Sequence, residues 1–271
     1  MLAFNASTLP RGHFLVESYL FNVAESGNKS PGSLAYMEYG LIDRLTVGAI
    51  PIIEYSLPEH GPSSSGIQVG DFSLLAQYRL SQFREGHRIP TASVLVQQGF
   101  PSGPYDRLNT RPGNGTGSGT YLTSLSLNTQ SYLWLPNGRI LRWRFDTTGS
   151  ISSRAAVTDA SVYGTGAGFS GHAQPGKTIN FDLSGEYSIT RHWVVALDGV
   201  YKYSASTVVT GTQNGAPYLS NSGTSWIYGF APALEYNFSS RVGLLLGTRI
   251  LTPGNNAALA VTPAIAINYV H

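Results

Sequence analysis

The sequence predicts an all-β fold: a single antiparallel up-and-down barrel of twelve strands that crosses a membrane. Three observations predict it. Apolar and polar side chains alternate in twelve successive segments, the links between segments sort by length, and aromatic residues keep to the apolar parity near segment ends. Successive side chains on an extended strand point to opposite faces, so each segment has one greasy wall and one wet wall. A soluble sandwich gives the same alternation but has no reason to sort its links. Membrane barrels do sort them, into tight periplasmic turns and longer extracellular loops.

Composition agrees. Only 12 % of the 271 residues are charged, against roughly 25 % in ordinary soluble domains, yet no more than 42 % are hydrophobic. Gly (31) and Tyr (16), with Ser, Thr and Asn, make up the difference, which suits one face in hydrocarbon and one in water. The net charge of +2 comes from scattered Lys and Arg, so no basic stripe argues for nucleic acid. The absence of Cys excludes disulfides and thiolate metal sites. No apolar run reaches the about 18 residues of a transmembrane helix. Met1–Asn5 has neither a basic n-region nor an apolar h-region, which reads as the mature form of an exported chain with a start Met added.

Taken in order, the first segment, His13–Phe21, sets Phe14, Val16 and Leu20 against Glu17, and turn signals follow at Glu25–Gly32. The second sets Ala35, Met37, Tyr39 and Leu41 against Tyr36 and Glu38. Ile42-Asp43-Arg44 turns into the third, with Val47, Ala49, Pro51 and Ile53 opposite Thr46, Gly48 and Glu54. The fourth places Phe72, Leu74, Ala76 and Tyr78 opposite Ser73, Gln77 and Arg79. The fifth has Ala92, Val94 and Val96 opposite Ser93 and Gln97, and the sixth has Leu125, Leu127 and Leu133 opposite Ser124, Ser126, Asn128 and Gln130. Pro136-Asn137-Gly138 is a hairpin signal, since Asn-Gly supplies positive φ values. The seventh segment sets Leu141, Trp143 and Phe145 against Arg142, Arg144 and Asp146.

The eighth, Thr178–Ile189, has the cleanest alternation: Ile179, Phe181, Leu183 and Tyr187 on one wall, Asn180, Asp182, Ser184 and Glu186 on the other. Arg191-His192 turns into the ninth, with Trp193, Val195, Leu197, Tyr201 and Tyr203 opposite Asp198 and Lys202. The tenth sets Trp226, Tyr228, Phe230, Leu234 and Tyr236 against Glu235, and the eleventh sets Val242, Leu244, Leu246 and Ile250 against Arg249. The last sets Val261, Ile265, Ile267 and Tyr269 against Thr262 and Asn268. An even strand count puts both termini on the periplasmic side. The chain is one domain, residues 1–271, with long extracellular loops at about 56–68, 101–119, 152–176 and 205–223. Apolar residues alternate back from Tyr269 as in an assembly signal, but the chain ends in His271 where such barrels often end in Phe.

Two phrases carry a family resemblance. Tyr39-Gly40-Leu41-Ile42-Asp43-Arg44-Leu45-Thr46-Val47-Gly48 resembles a hairpin of an outer-membrane channel family linked to the meta-pathway of phenol degradation. Gly70-Asp71-Phe72-Ser73-Leu74-Leu75-Ala76-Gln77-Tyr78-Arg79-Leu80 is similar to a strand of the same family, and the spacing fits over nearly the whole chain. The resemblance implies a Gram-negative outer-membrane channel that admits small hydrophobic or aromatic compounds. It brings no catalytic motif and no cofactor, and it transfers no functional residue.

The wet wall collects Glu17, Glu38, Glu54, Arg79, Arg142, Arg144, Asp146, Asp182, Glu186, Asp198, Lys202, Glu235 and Arg249 as candidate pore-lining residues. Twelve strands lie between the eight that side chains fill and the sixteen or so that leave an aqueous channel, so the lumen is expected to be narrow. Arg142, Arg144, Asp146, Asp182, Glu186, Asp198 and Lys202, on neighbouring strands, form either a polar constriction or a salt-bridged brace. In the loops, Phe100, Tyr105, Tyr163, Phe169 and Tyr218 make either an apolar capture site or a packing core of the loops themselves. Pro51, Pro90, Pro232 and Pro263 fall within or at the start of strands, where each removes a ladder hydrogen bond and marks a bulge or a weakened seam.

The expected partners are the bilayer with its lipopolysaccharide and a small hydrophobic or aromatic substrate, for a monomer without metal or cofactor. One alternative is a narrow diffusion pore for polar solutes. Another, from a different class, is a hydrolase at the membrane rim, for which Ser220, Ser222, His172 and His192 supply the residue types but no adjacent pair.

Overall fold

The computed structural model describes residues 4–271. These form antiparallel sheet throughout, with one short 3-10 turn at Pro112–Asn114. In chain order the strands are β1 (Phe14–Glu25), β2 (Asn28–Ile42), β3 (Leu45–Ile50), β4 (Ile52–Glu54), β5 (Gln68–Val69), β6 (Ser73–Ser81), β7 (Thr91–Gly99), β8 (Leu122–Trp134) and β9 (Ile140–Ser152). They continue with β10 (Ala155–Thr158), β11 (Phe169–Gln174), β12 (Thr178–Ser188), β13 (Trp193–Ser204), β14 (Val208–Gln213), β15 (Ala216–Asn221), β16 (Ser225–Asn237), β17 (Val242–Leu251) and β18 (Ala260–Val270). A fourteen-stranded sheet closes on itself because β1 pairs with both β2 and β18. Since β4 prolongs β3 past Pro51 and β5 leads into β6, the wall is a closed twelve-stranded antiparallel barrel.

Which wall faces which solvent is settled by exposure. Along β12, Leu183 is 58 % exposed, whereas Asp182 is 3 % and Glu186 4 %. The same inversion holds around the barrel: Leu125, Leu197, Leu246 and Ile267 stand outside while Asn128, Gln130, Arg144 and Asp198 are buried. A continuous apolar exterior of this extent is untenable in water and is what hydrocarbon requires. Closure leaves no unpaired edge, so every stave can lie in lipid. Among the described residues no helix is long and apolar enough to cross a membrane; the strands do so.

Two local expectations change. The link after the first strand closes at Ser26-Gly27, with φ of 48° and 81°, so β2 starts at Asn28 and not after Gly32. Both residues take the left-handed conformation that a two-residue hairpin demands. At the Pro136–Gly138 turn only Gly138 has positive φ, 74°, and the turn is closed by its N–H donating to the Leu135 carbonyl at 2.9 Å. Pro136, with its fixed φ, sets the first corner.

The segments 152–176 and 205–223, read as loops from their Gly, Ser and Thr content, carry four strands. They pair in the order β10-β11-β14-β15 as a separate sheet above the barrel. One face of it carries an apolar core built on Ala155, Val157, Phe169, Ala173 and Val209. Gly171 and Gly211 face each other across β11 and β14 where a Cβ on either would strike the partner backbone. The loop 101–119 is stitched to this canopy by Arg107 N–H to Thr158 O (3.0 Å) and Val162 N–H to Tyr105 O (2.9 Å). Ser64 Oγ in turn ties the loop 56–68 to Gly113 O at 2.6 Å.

Ahead of β1 the chain does not stay outside the barrel. Residues 4–9 run inside it, with Ala6 fully buried and Thr8 6 % exposed. Their backbone groups find side-chain partners on the polar wall. Phe4 N–H donates to Asp146 Oδ2 (2.5 Å), Ala6 N–H to Gln130 Oε1 (3.2 Å) and Leu9 N–H to Thr46 Oγ1 (2.8 Å). Gln77 Nε2 donates to Asn5 O (2.6 Å), and Gln130 Nε2 to Ser7 Oγ (2.8 Å). An irregular segment inside a membrane protein needs such internal partners.

Candidate permeation path

The lumen has two unlike halves. On the β7–β13 side, Ser93, Ser126, Asn128, Gln130, Arg144, Asp146, Asp182, Ser184 and Asp198 make a buried polar wall. On the other side, β1, β2, β4, β16, β17 and β18 enclose a cavity of about 330 Å³. Tyr19, Phe21, Leu34, Tyr36, Ala231 and Leu245 give it an apolar lining, edged by Glu54, Arg249 and Thr262. Phe21, Leu34, Ile52 and Leu245 lie on the parity expected to be wet. Their signal was present as doublets: Leu20-Phe21, Ile52-Ile53 and Leu244-Leu245-Leu246 break the alternation, as do Leu74-Leu75 and Val94-Leu95-Val96. A barrel strand apolar on both parities has an apolar interior face.

This cavity has neighbours above and below. Val23 is shared with a rim cavity of about 520 Å³ between the β1–β2 end, His60-Gly61-Pro62 and Pro112-Gly113. Tyr19 and Tyr36 are shared with a cavity of about 120 Å³ beside the N-terminal segment, bordered by Glu17, Glu38, Gln77 and Arg144. The boundary between the last two is aromatic. Phe4 meets Tyr36 edge to face with centroids 5.6 Å apart, and Tyr19 meets Tyr36 at 6.1 Å. Tyr19 Oη donates to Glu17 Oε1 at 2.7 Å, which fixes the ring. Phe4 also packs against Ile50, Leu75 and Leu95. The N-terminal segment therefore floors the apolar cavity with a ring and presents its polar backbone to the polar wall.

The expected ionic cluster forms in part. Arg142 and Arg144 both pair with Glu186, and Arg142 Nε donates to Glu186 Oε2 at 2.7 Å. Asp146 lies directly opposite Asp182, and Asp198 opposite Ser184, which itself faces Arg144, so three carboxylates sit level with or one step beyond the arginines. Lys202 is opposite Asn180, exposed and higher in the lumen, outside these ion pairs. Glu54 and Arg249 border the apolar cavity, while Glu17 and Glu38 lie at its floor. Arg79 is at the short-turn rim with Arg44, Arg84 and His87 around a cavity of about 290 Å³. Glu235 pairs in register with Val194 and Leu245 near the same end.

Of the loop aromatics, Phe169 is 1 % exposed and meets Tyr218 edge to face at 5.3 Å, with Tyr105 and Tyr163 packed on the same core. Phe100 is elsewhere, stacked on Phe72 at 4.8 Å. Tyr105 Oη donates to Ala156 O at 2.9 Å, and Tyr163 Oη donates to Ser118 O. Burial, with Asp71 nearby, pushes the Tyr163 phenol up to about 12, and burial also raises that of Tyr105. These rings are partners of one another, packed as a core of the canopy.

His172, read as a loop residue, lies in β11 opposite Thr210 on the exposed face. Ser220 is on β15 opposite Val209, whose side chain is on the buried face. The two are separated by β14 and point to opposite sides. Among the described residues no group of His, Asp and Glu is arranged to hold a metal ion.

No protein-family model matches this sequence, and no curated protein matches it either. Solved structures do. An outer membrane channel from Pseudomonas putida F1 superposes with a TM-score of 0.72 at 14 % identity, covering 100 % of both chains. The NanC porin gives 0.53 at 10 % identity over 94 % of this chain and 98 % of that one. The β domain of a Bordetella autotransporter gives 0.50 at 10 % identity over 96 % and 99 %. The shared feature is the fold, that of the transmembrane barrels of bacterial outer membranes.

Proposed function

We propose that this barrel is a monomeric outer-membrane channel for passive uptake of small hydrophobic or aromatic molecules. The observation that carries the reading is the apolar cavity inside the barrel, reached from the extracellular rim past Val23. A cavity of about 330 Å³ lined by rings and aliphatic side chains takes a small apolar molecule at little desolvation cost, as apolar pockets do. A sugar there would leave the hydroxyls that face the apolar lining without partners, away from the Glu54, Arg249 and Thr262 edge. The barrel most similar among those named above is described as an outer membrane channel, which supports the same reading. The ionic residues act as pore lining beside and below this cavity. The canopy aromatics Tyr105, Tyr163, Phe169 and Tyr218 hold the loops together, so capture belongs to the lumen instead.

The test is uptake of radiolabelled toluene by Gram-negative cells with and without the protein, against liposome swelling in arabinose. Faster toluene uptake without sugar-driven swelling is expected. Free passage of arabinose with no gain for toluene would establish the polar diffusion pore in its place. The non-enzymatic reading is supported by the separation of His172 from Ser220; lipid hydrolysis abolished by Ser220→Ala or His172→Ala would overturn it.

A further inference from the structure

Each short turn of the barrel carries an arginine. Arg44 lies between β2 and β3, Arg84 between β6 and β7, Arg139 between β8 and β9, Arg191 between β12 and β13, and Arg241 between β16 and β17. The only acids in these turns are Asp43 and Glu85. The long-loop end differs, since Glu25, Glu59, Asp106 and Asp159 offset its lysines and arginines. One rim of the molecule is therefore a basic collar.

The collar is densest where Arg44, Arg79, Arg84 and His87 surround the cavity of about 290 Å³. Backbone geometry brings them together. The Arg79 N–H donates to the Arg44 carbonyl at 2.9 Å, which sets the β2–β3 turn against the end of β6. The His87 N–H donates to the Arg84 carbonyl at 3.1 Å across a turn in which Gly86 has φ of 79°. A type II turn needs that positive value at its third residue. Pairing of β6 with β7 passes from Arg79↔Ser93 to Ser81↔Ala92, so Leu80 is the extra residue of a bulge. A bulge at a barrel rim re-aims side chains, and here Arg79 and Leu80, of opposite parity, border one cavity.

The cluster has no counter-charge of its own. Among the described residues the ion pairs are those of Glu186 with Arg142 and Arg144, so none of these four cationic side chains meets a carboxylate. Asp43 Oδ1 accepts instead from the Arg11 N–H at 3.0 Å. Three guanidinium groups around one small cavity repel one another. A phosphate, which Arg holds through paired N–H donors, relieves that repulsion.

The surroundings decide which phosphate. Leu80 and Ile89 border the same cavity and are exposed, and Leu80 continues the outward row of Leu74 and Tyr78. Phe83, in the same link, stacks on the exposed Trp134 at 5.9 Å. Aromatic rings of this kind sit at the depth of the lipid headgroups. The cavity thus has a cationic side and an apolar side, which suits a lipid better than a free phosphate. The short turns of outer-membrane barrels face the periplasm, where the leaflet is glycerophospholipid.

We propose that this cavity binds the headgroup phosphate of one anionic glycerophospholipid, with an acyl chain laid along Leu80 and Ile89. Basic pockets on membrane proteins hold acidic lipid headgroups in this way. The bound lipid joins the β2–β3 and β6–β7 turns at the membrane surface, whatever the lumen carries.

The test is native mass spectrometry of the barrel released from detergent, after incubation with phosphatidylglycerol, phosphatidylethanolamine, lipid A or glycerol 3-phosphate. One phosphatidylglycerol is expected to stay bound at collision energies that strip phosphatidylethanolamine. Arg44→Gln/Arg84→Gln should lower its retention several-fold, and Leu80→Ser/Ile89→Ser should lower it too. Arg191→Gln/Arg241→Gln, in turns across the barrel, should leave it unchanged. Heat-shifted electrophoretic mobility verifies that each variant is folded. Retention that matches phosphatidylethanolamine, or that survives Arg44→Gln/Arg84→Gln, overturns the site. Displacement by an equal concentration of glycerol 3-phosphate makes it a free-phosphate site and overturns the lipid. Preference for lipid A puts the collar in the opposite leaflet and overturns the assignment to glycerophospholipid.

Discussion

At the scale of single residues, the interior is governed by what a buried charge needs. Arg144 is 4 % exposed and pairs with Glu186 beside Asp146 and Asp198. Removing one member of such a buried set leaves the others uncompensated, which costs about 3–5 kcal/mol. Arg144→Met is therefore expected to lower the urea midpoint of the folded barrel, whereas Lys202→Met, outside the ion pairs, leaves it nearly unchanged. The canopy offers a pH test. The Tyr163 phenol is raised from 10.0 to about 12, so the fold favours its protonated form. Its contribution is complete below about pH 10, where the unfolded phenol is still neutral, and is lost as pH rises through about 12. Ultraviolet titration should show one late-titrating tyrosine fewer in Tyr163→Phe than in the wild type.

At the scale of elements, the N-terminal segment and the canopy are the two pieces added to a plain barrel. The segment is held mainly by side-chain hydrogen bonds, two of them from Gln130 alone. Gln130→Leu keeps the volume but removes both, each worth about 0.5–1.5 kcal/mol net. Larger and noisier single-channel conductance in planar bilayers is expected, and a chain lacking residues 4–9 should conduct most. Unchanged conductance in both would show that the segment does not restrict the lumen. In the canopy, Phe169→Ala empties the centre of the apolar core at a cost of about 3–5 kcal/mol. Because β10, β11, β14 and β15 form a sheet separate from the barrel, protease sensitivity should rise in the loops while heat-shifted mobility of the barrel is retained.

At the scale of the whole molecule, a closed sheet satisfies every demand of the bilayer except those of its contents. Closure pairs the backbone, the apolar parity meets lipid, and polar groups turn to the lumen, where they need partners. The halves of the lumen meet that need differently. Part of the polar wall is satisfied by its own hydroxyls and ion pairs and by the N-terminal backbone; the apolar wall leaves a cavity. This division makes the uptake reading a property of the assembled barrel and not of any one strand.

The strand count, the outward set and the charged interior were legible in the sequence. Alternation such as Phe181-Asp182-Leu183 is local, and lipid outside a narrow lumen leaves each parity one destination. The resemblance at Tyr39–Gly48 pointed to the same architecture. Less legible were Phe21, Leu34 and Leu245, since an inward apolar residue looks like a break in the pattern until the facing strand is known. The canopy strands were unreadable because their Gly-rich segments gain regularity only by pairing across two loops distant in sequence. Phe4's place against Tyr36 exists only once closure and register set separate strands side by side. Periodicity fixes which way a side chain points; only closure and register decide what it points at.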